Sequence, residues 1–323
     1  MFGRVEITPW YWGGFIVCVL IFIIVDMGAF HRKAKSVSFR EALIWSGIWF
    51  GVAMLFAGLM YVLRGREEAT EFVTGYLIEL SLSLDNLLVI ALIFAAFKIP
   101  AEYQRRVLVW GIVGALAMRG IMIGAGAALV QHFSWVLYLF GAFLVITGAK
   151  MFFAKKETID PDKNLVMRVV HKLFPVSTTF VGQKFFTRLN GRRVLTPLAL
   201  VLLMVETTDL IFAVDSVPAV FSVTRKAFIV FTSNVFAILG LRSLFFLLAG
   251  ALQRFRYLKA GLSVVLIFIG LKMLLDPHDL PARSWQVEIP TGASLLVVAA
   301  ILAVAISLSM TATWRAKSKL VTR

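Results

Sequence analysis

This sequence predicts an all-α polytopic membrane protein of about nine transmembrane helices, and three observations lead there. Apolar runs of bilayer-spanning length recur along the whole chain, 60% of its 323 residues are hydrophobic with a mean hydropathy of +0.87, and Lys and Arg gather in alternate gaps between the runs. A formal net charge of +15 would suit a nucleic-acid partner only if it clustered on one folded face. Here it lies between apolar runs and reports topology. The single cysteine, Cys18, sits inside the first run as a small apolar residue, which excludes an internal disulfide and any thiol pair for redox exchange.

Windows of apolar sequence place spans near 10–27, 42–63, 72–96, 107–130, 133–154, 195–223, 227–251, 260–275 and 291–313. The basic cluster His31, Arg32 and Lys33 follows the first run instead of preceding it, with no small-residue cleavage pattern, so the first helix is expected to be retained. Residues 1–70 then hold two accessory helices, and 71–154 a first block of three. The stretch 155–194 is a basic loop, too short to bury a separate core. Within it Val166, Val169, Val170 and Leu173 have helical spacing, and Asn190-Gly191 marks a hairpin, since both residues tolerate the positive φ of a tight two-residue turn. A second block of three occupies 195–276, closed by Asp276 and Pro277, and 277–323 carries the final helix and a basic tail. The many Phe and Trp side chains are expected on the lipid-facing surface and in the interfacial belts.

With the amino terminus outside, 23 Lys and Arg fall in inside loops and tails and six fall outside. The positive-inside rule therefore places the amino terminus outside and the carboxy terminus in the cytoplasm of the bacterial inner membrane.

The sixth span carries three carboxylates, Glu206, Asp209 and Asp215, the last followed by Ser216 and Pro218. Each ionisable group at membrane depth costs about 2.5–3.5 kcal/mol on insertion scales, so three in one helix require partners, water or a cation. The third span has said something similar already: Glu79 lies six residues before Asp85, which Asn86 follows, the spacing of Asp209, Asp215 and Ser216. Arg119 in the fourth span answers to Arg242 in the seventh, and Gly148, Lys150 and Met151 of the fifth answer to Gly270, Lys272 and Met273 of the eighth. Blocks of three helices start from opposite sides of the membrane, so this is an inverted repeat, an architecture that puts a shared site near the midplane between the two leading helices.

Helical geometry places Glu79, Ser83 and Asn86 on one face, and Glu206, Asp209 and Ser216 on one face, with Asp85 and Asp215 about 120° away. Pro218 removes the donor for the Val214 carbonyl, so a kink beside Asp215 is expected, which frees that oxygen as a further ligand. Asp85 has no such proline and is expected to pair with an arginine instead. The ligand types are carboxylate, amide, hydroxyl and carbonyl oxygens, with no histidine or cysteine, a set suited to hard divalent cations. When the cation leaves, protons or Arg119 and Arg242 take its place. Asp26 is either an interfacial partner of Arg32 and Lys33 or a ligand, and Asn234, with Ser233, is either an interhelical hydrogen bond or a support to the site. Lys150 and Lys272, near span ends, are expected to snorkel to the headgroups.

These stretches, from Thr74 to Asn86, from Val205 through Asp209 and Asp215 to Pro218, from Thr232 through Asn234 to Arg242, and the two Gly-x-Lys-Met turns, resemble the TerC family of integral membrane proteins, in its longer bacterial branch. The resemblance runs from the first span to the eighth. It implies export of a divalent metal, chiefly Mn²⁺, across the cytoplasmic membrane. No enzyme is expected, since no nucleophile and base pair stands out. It also implies, position by position, a metal site of Glu79, Asp85, Asn86, Glu206, Asp209, Asp215 and Ser216, with Ser83, Arg119, Arg242, Asn234 and Asp26 as charge partners or supports. Expected partners are the lipid bilayer, the transported cation and coupling protons, with no nucleic acid and no permanently bound cofactor. The family label carries two other readings, tellurium resistance and redox modulation, and the residues leave open a membrane scaffold that helps insert or metallate other proteins through the 155–194 loop.

Overall fold

The computed structural model describes residues 9–29, 38–133, 135–153, 168, 170, 172–177, 179–189, 191–249, 257–275 and 289–321, with the backbone alone at the ends of α1, α7 and α9. Nine helices are described: α1 Pro9–Ala29, α2 Phe39–Arg64, α3 Arg66–Ala96, α4 Ala101–His132, α5 Val136–Phe153, α6 Pro197–Phe221, α7 Ala227–Ala249, α8 Leu258–Leu275 and α9 Thr291–Val321. Eight are long and apolar enough to cross a membrane, and α1 adds the shorter apolar stretch Pro9–Ile24. Between α5 and α6 a hairpin pairs β1 Phe186–Leu189 with β2 Arg192–Leu195, Phe186 facing Leu195 and Leu189 facing Arg192. Gly191, at φ +78°, supplies the positive dihedral that its turn needs. Of the helical spacing expected before it, Val166 and Val169 lie outside the described residues, while Val170 is buried in the core.

Local chemistry sets the helix starts. Ser38 caps α2 by accepting from the Glu41 amide, and Thr196 caps α6 by accepting from the Ala199 amide while donating to the Lys184 carbonyl, which ties the hairpin to the helix. The third helix starts earlier than the sequence reading places it, and so does the fourth, at Ala101 instead of 107. The third span was placed from residue 72, but α3 begins at Arg66 because Gly65, at φ +96°, turns the chain directly out of α2. Glu67, Glu68 and Glu71 are thus helical.

The surface is apolar, as a bilayer solvent requires: Trp10 is 87% exposed and Phe153 82%. The aromatic residues do not all face lipid, however. Phe15, Phe56, Phe72, Tyr76, Phe228 and Phe236, with Trp49, pack into one cluster where α1, α2 and α3 meet α7. Edge-on and tilted ring contacts satisfy one another there, which lipid contact cannot do. Lys272 is a second departure. Its counterpart Lys150 is exposed, but Lys272 is 2% exposed and faces the bundle.

The helices named in the two sequence blocks pack on one another. In the first, α3 packs on α7 and α6, and α4 on α6 and α7; α5 crosses α8. The α5–α8 crossing repeats its own contacts. A Cβ on Gly148 would meet the Ser263 carbonyl and the Ile267 amide, and one on Gly270 would meet the Gly141 carbonyl and the Val145 amide, at 2.7–3.1 Å in every case. Matching Gly148 to Gly270 also matches Ser263 to Gly141 and Ile267 to Val145, so each helix offers the other the same surface. Two glycines let the backbones touch, the small-residue solution for helix association in lipid.

Candidate functional site

Arg119, at mid-length of α4, is 1% exposed. Its Nη1 donates to Glu79 Oε2 of α3 at 2.7 Å, and its Nε and Nη2 donate to Asp209 Oδ2 and Oδ1 of α6 at 3.2 and 2.9 Å. The planar guanidinium thus holds Asp209 by both oxygens and Glu79 by one. Asn86, its amide turned to suit its neighbours, accepts from Arg119 Nη2 at 3.3 Å and donates to the Leu82 carbonyl at 3.1 Å. Glu79 and Asp209 are the matched acids of the two blocks, and one cation joins them.

On α3, α6 and α7 several buried polar atoms have no hydrogen-bond partner among the described residues: Glu79 Oε1, Ser83 Oγ, Glu206 Oε2, Ser216 Oγ and Asn234 Nδ2. A buried polar atom left so costs roughly 1–3 kcal/mol, which a fold tolerates where the atom serves a ligand. Ser83 lies between Glu79 and Asn86 on the same face of α3, and Glu206 one turn before Asp209. Glu206 packs onto the backbone of α4 at Gly114, where a Cβ would fall 2.1 Å from its carboxylate. Glycine alone leaves room for that acid.

The second acid of each motif sits apart. Asp215 is half-buried beside Thr147 of α5 and is not among the partners of Arg119, as its angle on the helix requires. α6 continues unbroken through Pro218 to Phe221. Asp85 is half-buried, and Arg242 is 6% exposed on α7. The side chain of Asp26 lies outside the described residues. Among the described residues no three His, Cys, Asp or Glu side chains lie together as a ready metal cage. The site is instead a pair of carboxylates and an amide oxygen closed on an arginine.

Sequence reasoning missed a second network, at the end of the bundle opposite the hairpin. Glu71 of α3, 7% exposed, accepts from Thr224 Oγ1 at 2.9 Å and from Lys226 Nζ at 3.1 and 3.3 Å. Lys226 also lies 3.4 Å from Glu68, which pairs with Arg64. Thr224 and Lys226 belong to the turn between α6 and α7, and the Lys226 amide donates to Thr224 Oγ1 at 3.2 Å. The signal was present: Glu71 stands eight residues before Glu79, on the same stripe of α3.

The sequence profile of the integral membrane protein TerC family matches residues 64–319, which covers both networks and every helix from α3 onward. The chain belongs to the TerC family. It is 48% identical over 303 residues to the "Uncharacterized membrane protein STKORF319" of Myxococcus xanthus, covering 94% of this chain and 92% of that one. It is 45% identical over 284 residues to the "Putative membrane-bound redox modulator Alx" of Escherichia coli K12, covering 85% and 88%. An "Uncharacterized membrane protein" of Rickettsia bellii is 39% identical over 299 residues, covering 93% and 96%. No solved structure matches the chain. The residues matched to the TerC family span Glu79, Arg119 and Asp209.

Proposed function

We propose that this TerC protein is a divalent metal ion exporter of the cytoplasmic membrane, with Mn²⁺ as its principal cargo and protons as the coupling ion, and that it is not an enzyme. The observation that carries the reading is Arg119, fully buried and held by the matched acids of the two blocks. A protein that must hold a cation between α3 and α6 in one state and release it in the next needs its carboxylates neutralised in both states. Arg119 serves as the tethered counter-ion when the cargo is absent.

Charge and ligand type support this. Two carboxylates face one guanidinium, so a 2+ ion neutralises the pair fully where Arg119 neutralises half. Oxygen donors from Glu79, Asp209 and Asn86 already converge on one point, and Ser83, Glu206 and Ser216 hold further oxygens on the same faces of α3 and α6. Such a set suits Mn²⁺, Mg²⁺ or Ca²⁺. Glu206, buried with an oxygen lacking a partner, offers a place where a proton offsets the cost of burial and so couples proton movement to cation movement. The two blocks act as an inverted repeat around this site and rock about the glycine crossing of α5 and α8, with the amino terminus outside.

Reconstituted in sealed proteoliposomes, the protein is expected to carry Mn²⁺ with a matching change of internal pH, and Asp209→Asn to carry none while remaining folded. Flux surviving in Asp209→Asn places the site elsewhere. No flux of any divalent ion from well-folded protein refutes the exporter reading.

A further inference from the structure

The network opposite the hairpin has no place in the reading above, yet it is built from the same parts as the central site: buried carboxylates of α3 closed on a side-chain cation. We infer that the Glu71 clamp on the α6–α7 turn is a releasable lock that shuts the end of the bundle above the Glu79–Arg119–Asp209 site, an inference that rests on the transport reading of that site.

Glu71, Gly75, Glu79, Ser83 and Asn86 form one stripe on α3, and at about 1.5 Å per residue Glu71 lies roughly 12 Å from Glu79 along the helix. Midway between them the wall is thin. A Cβ on Gly75 would lie 2.9 Å from Ser233 Oγ and 3.1 Å from Val220 Cγ1. Val220 stands in the last turn of α6 and Ser233 near the start of α7, so the two side chains that close on Gly75 flank the very turn that Glu71 grips. Holding Thr224 and Lys226 therefore holds Val220 and Ser233 against α3. Releasing them lets that layer part.

The lock is placed to be released. Glu71 and Glu68 side chains are 9% and 5% exposed, but the Lys226 side chain is 36% exposed and reaches the surroundings. The polar part of its grip is three hydrogen bonds and ion pairs on one short turn, and the apolar part within the turn is the single side chain of Val223, buried in the adjoining core. Local openings of this kind involve few contacts and so little free energy.

The test reads the opening directly, without cargo or flux. In a Cys18→Ala background, Ser233→Cys, at a site 0% exposed, is placed in nanodiscs, where both faces are reachable, and its labelling by a hydrophilic maleimide is timed. Glu71→Ala and Lys226→Met are each expected to speed labelling roughly tenfold or more. The exchanged pair Glu71→Lys with Lys226→Glu is expected to restore slow labelling, while Ala53→Cys, buried among α1, α2 and α7, stays protected throughout. Should Ser233→Cys fail to fold, Thr74→Cys, also 0% exposed, replaces it. Rates unchanged by the lock variants, or Ala53→Cys accelerating in parallel, overturn the inference. Because labelling needs no transported ion, its failure leaves the Arg119 reading standing, and a loss of flux in Asp209→Asn says nothing about the lock.

Discussion

Replacing Arg119 with methionine keeps the apolar stem of the side chain and removes its charged guanidinium head. Three charge-assisted hydrogen bonds, at 2.7, 2.9 and 3.2 Å, are lost, and Glu79 and Asp209 are left facing each other in a site where Glu79 is 1% exposed. Removing one partner of a buried ion pair costs about 3–5 kcal/mol, chiefly for the uncompensated charge that stays behind. For a chain of 323 residues, unfolding entropy scaling gives about 1.5 °C per kcal/mol, hence a fall in Tm of roughly 5–8 °C in metal-free detergent solution. If the guanidinium occupies the place of the cargo, Mn²⁺ has no competitor in Arg119→Met and two ionised carboxylates to join. It is then expected to raise the variant's Tm by several degrees and the parent's by much less, with Asp209→Asn abolishing the rise. The assay is thermal unfolding of purified protein with and without Mn²⁺. A variant as stable as the parent, or one that Mn²⁺ stabilises no more than the parent, refutes the tethered counter-ion.

Other substitutions separate packing from transport. Gly270→Ala pushes a methyl against the Gly141 carbonyl and the Val145 amide, backbone atoms that cannot swing aside, and is expected to cost about 1–3 kcal/mol by thermal unfolding, whereas Gly58→Ala, with nothing within 4 Å, is expected to be neutral or slightly stabilising. Gly114→Ala collides with the Glu206 carboxylate, a movable side chain, so its stability loss is expected to be the smaller while Mn²⁺ flux in proteoliposomes falls as far as in Glu206→Gln. Ser83→Ala removes a buried hydroxyl that has no partner among the described residues; its Tm is expected to hold within about 1 °C while cation affinity drops several-fold if that oxygen serves the cargo.

Spans, hairpin and the polar residues at depth were legible in the one-dimensional pattern because each rests on a local rule. A run of apolar residues must be helical in lipid, where every backbone amide needs a partner within its own segment, and Gly191 turns the hairpin through its own positive φ. The acids Glu79 and Asp209 stood out because charge in an apolar span is costly wherever the helix packs. What only the tertiary structure decided is which of these charges meet. Helix geometry already set Asp85 and Asp215 about 120° from Glu79 and Asp209, but that one guanidinium, Arg119, closes on the latter two belongs to the packing of α4 against α3 and α6. Glu71 and Lys226 are 155 residues apart in the chain; Gly65 put one on a helix and the α6–α7 turn brought the other to it. Lys272 and Lys150 occupy matched positions in the sequence and opposite environments in the fold, 2% exposed against exposed. Burial belongs to the neighbours that a helix face acquires, and no spacing along one chain contains them.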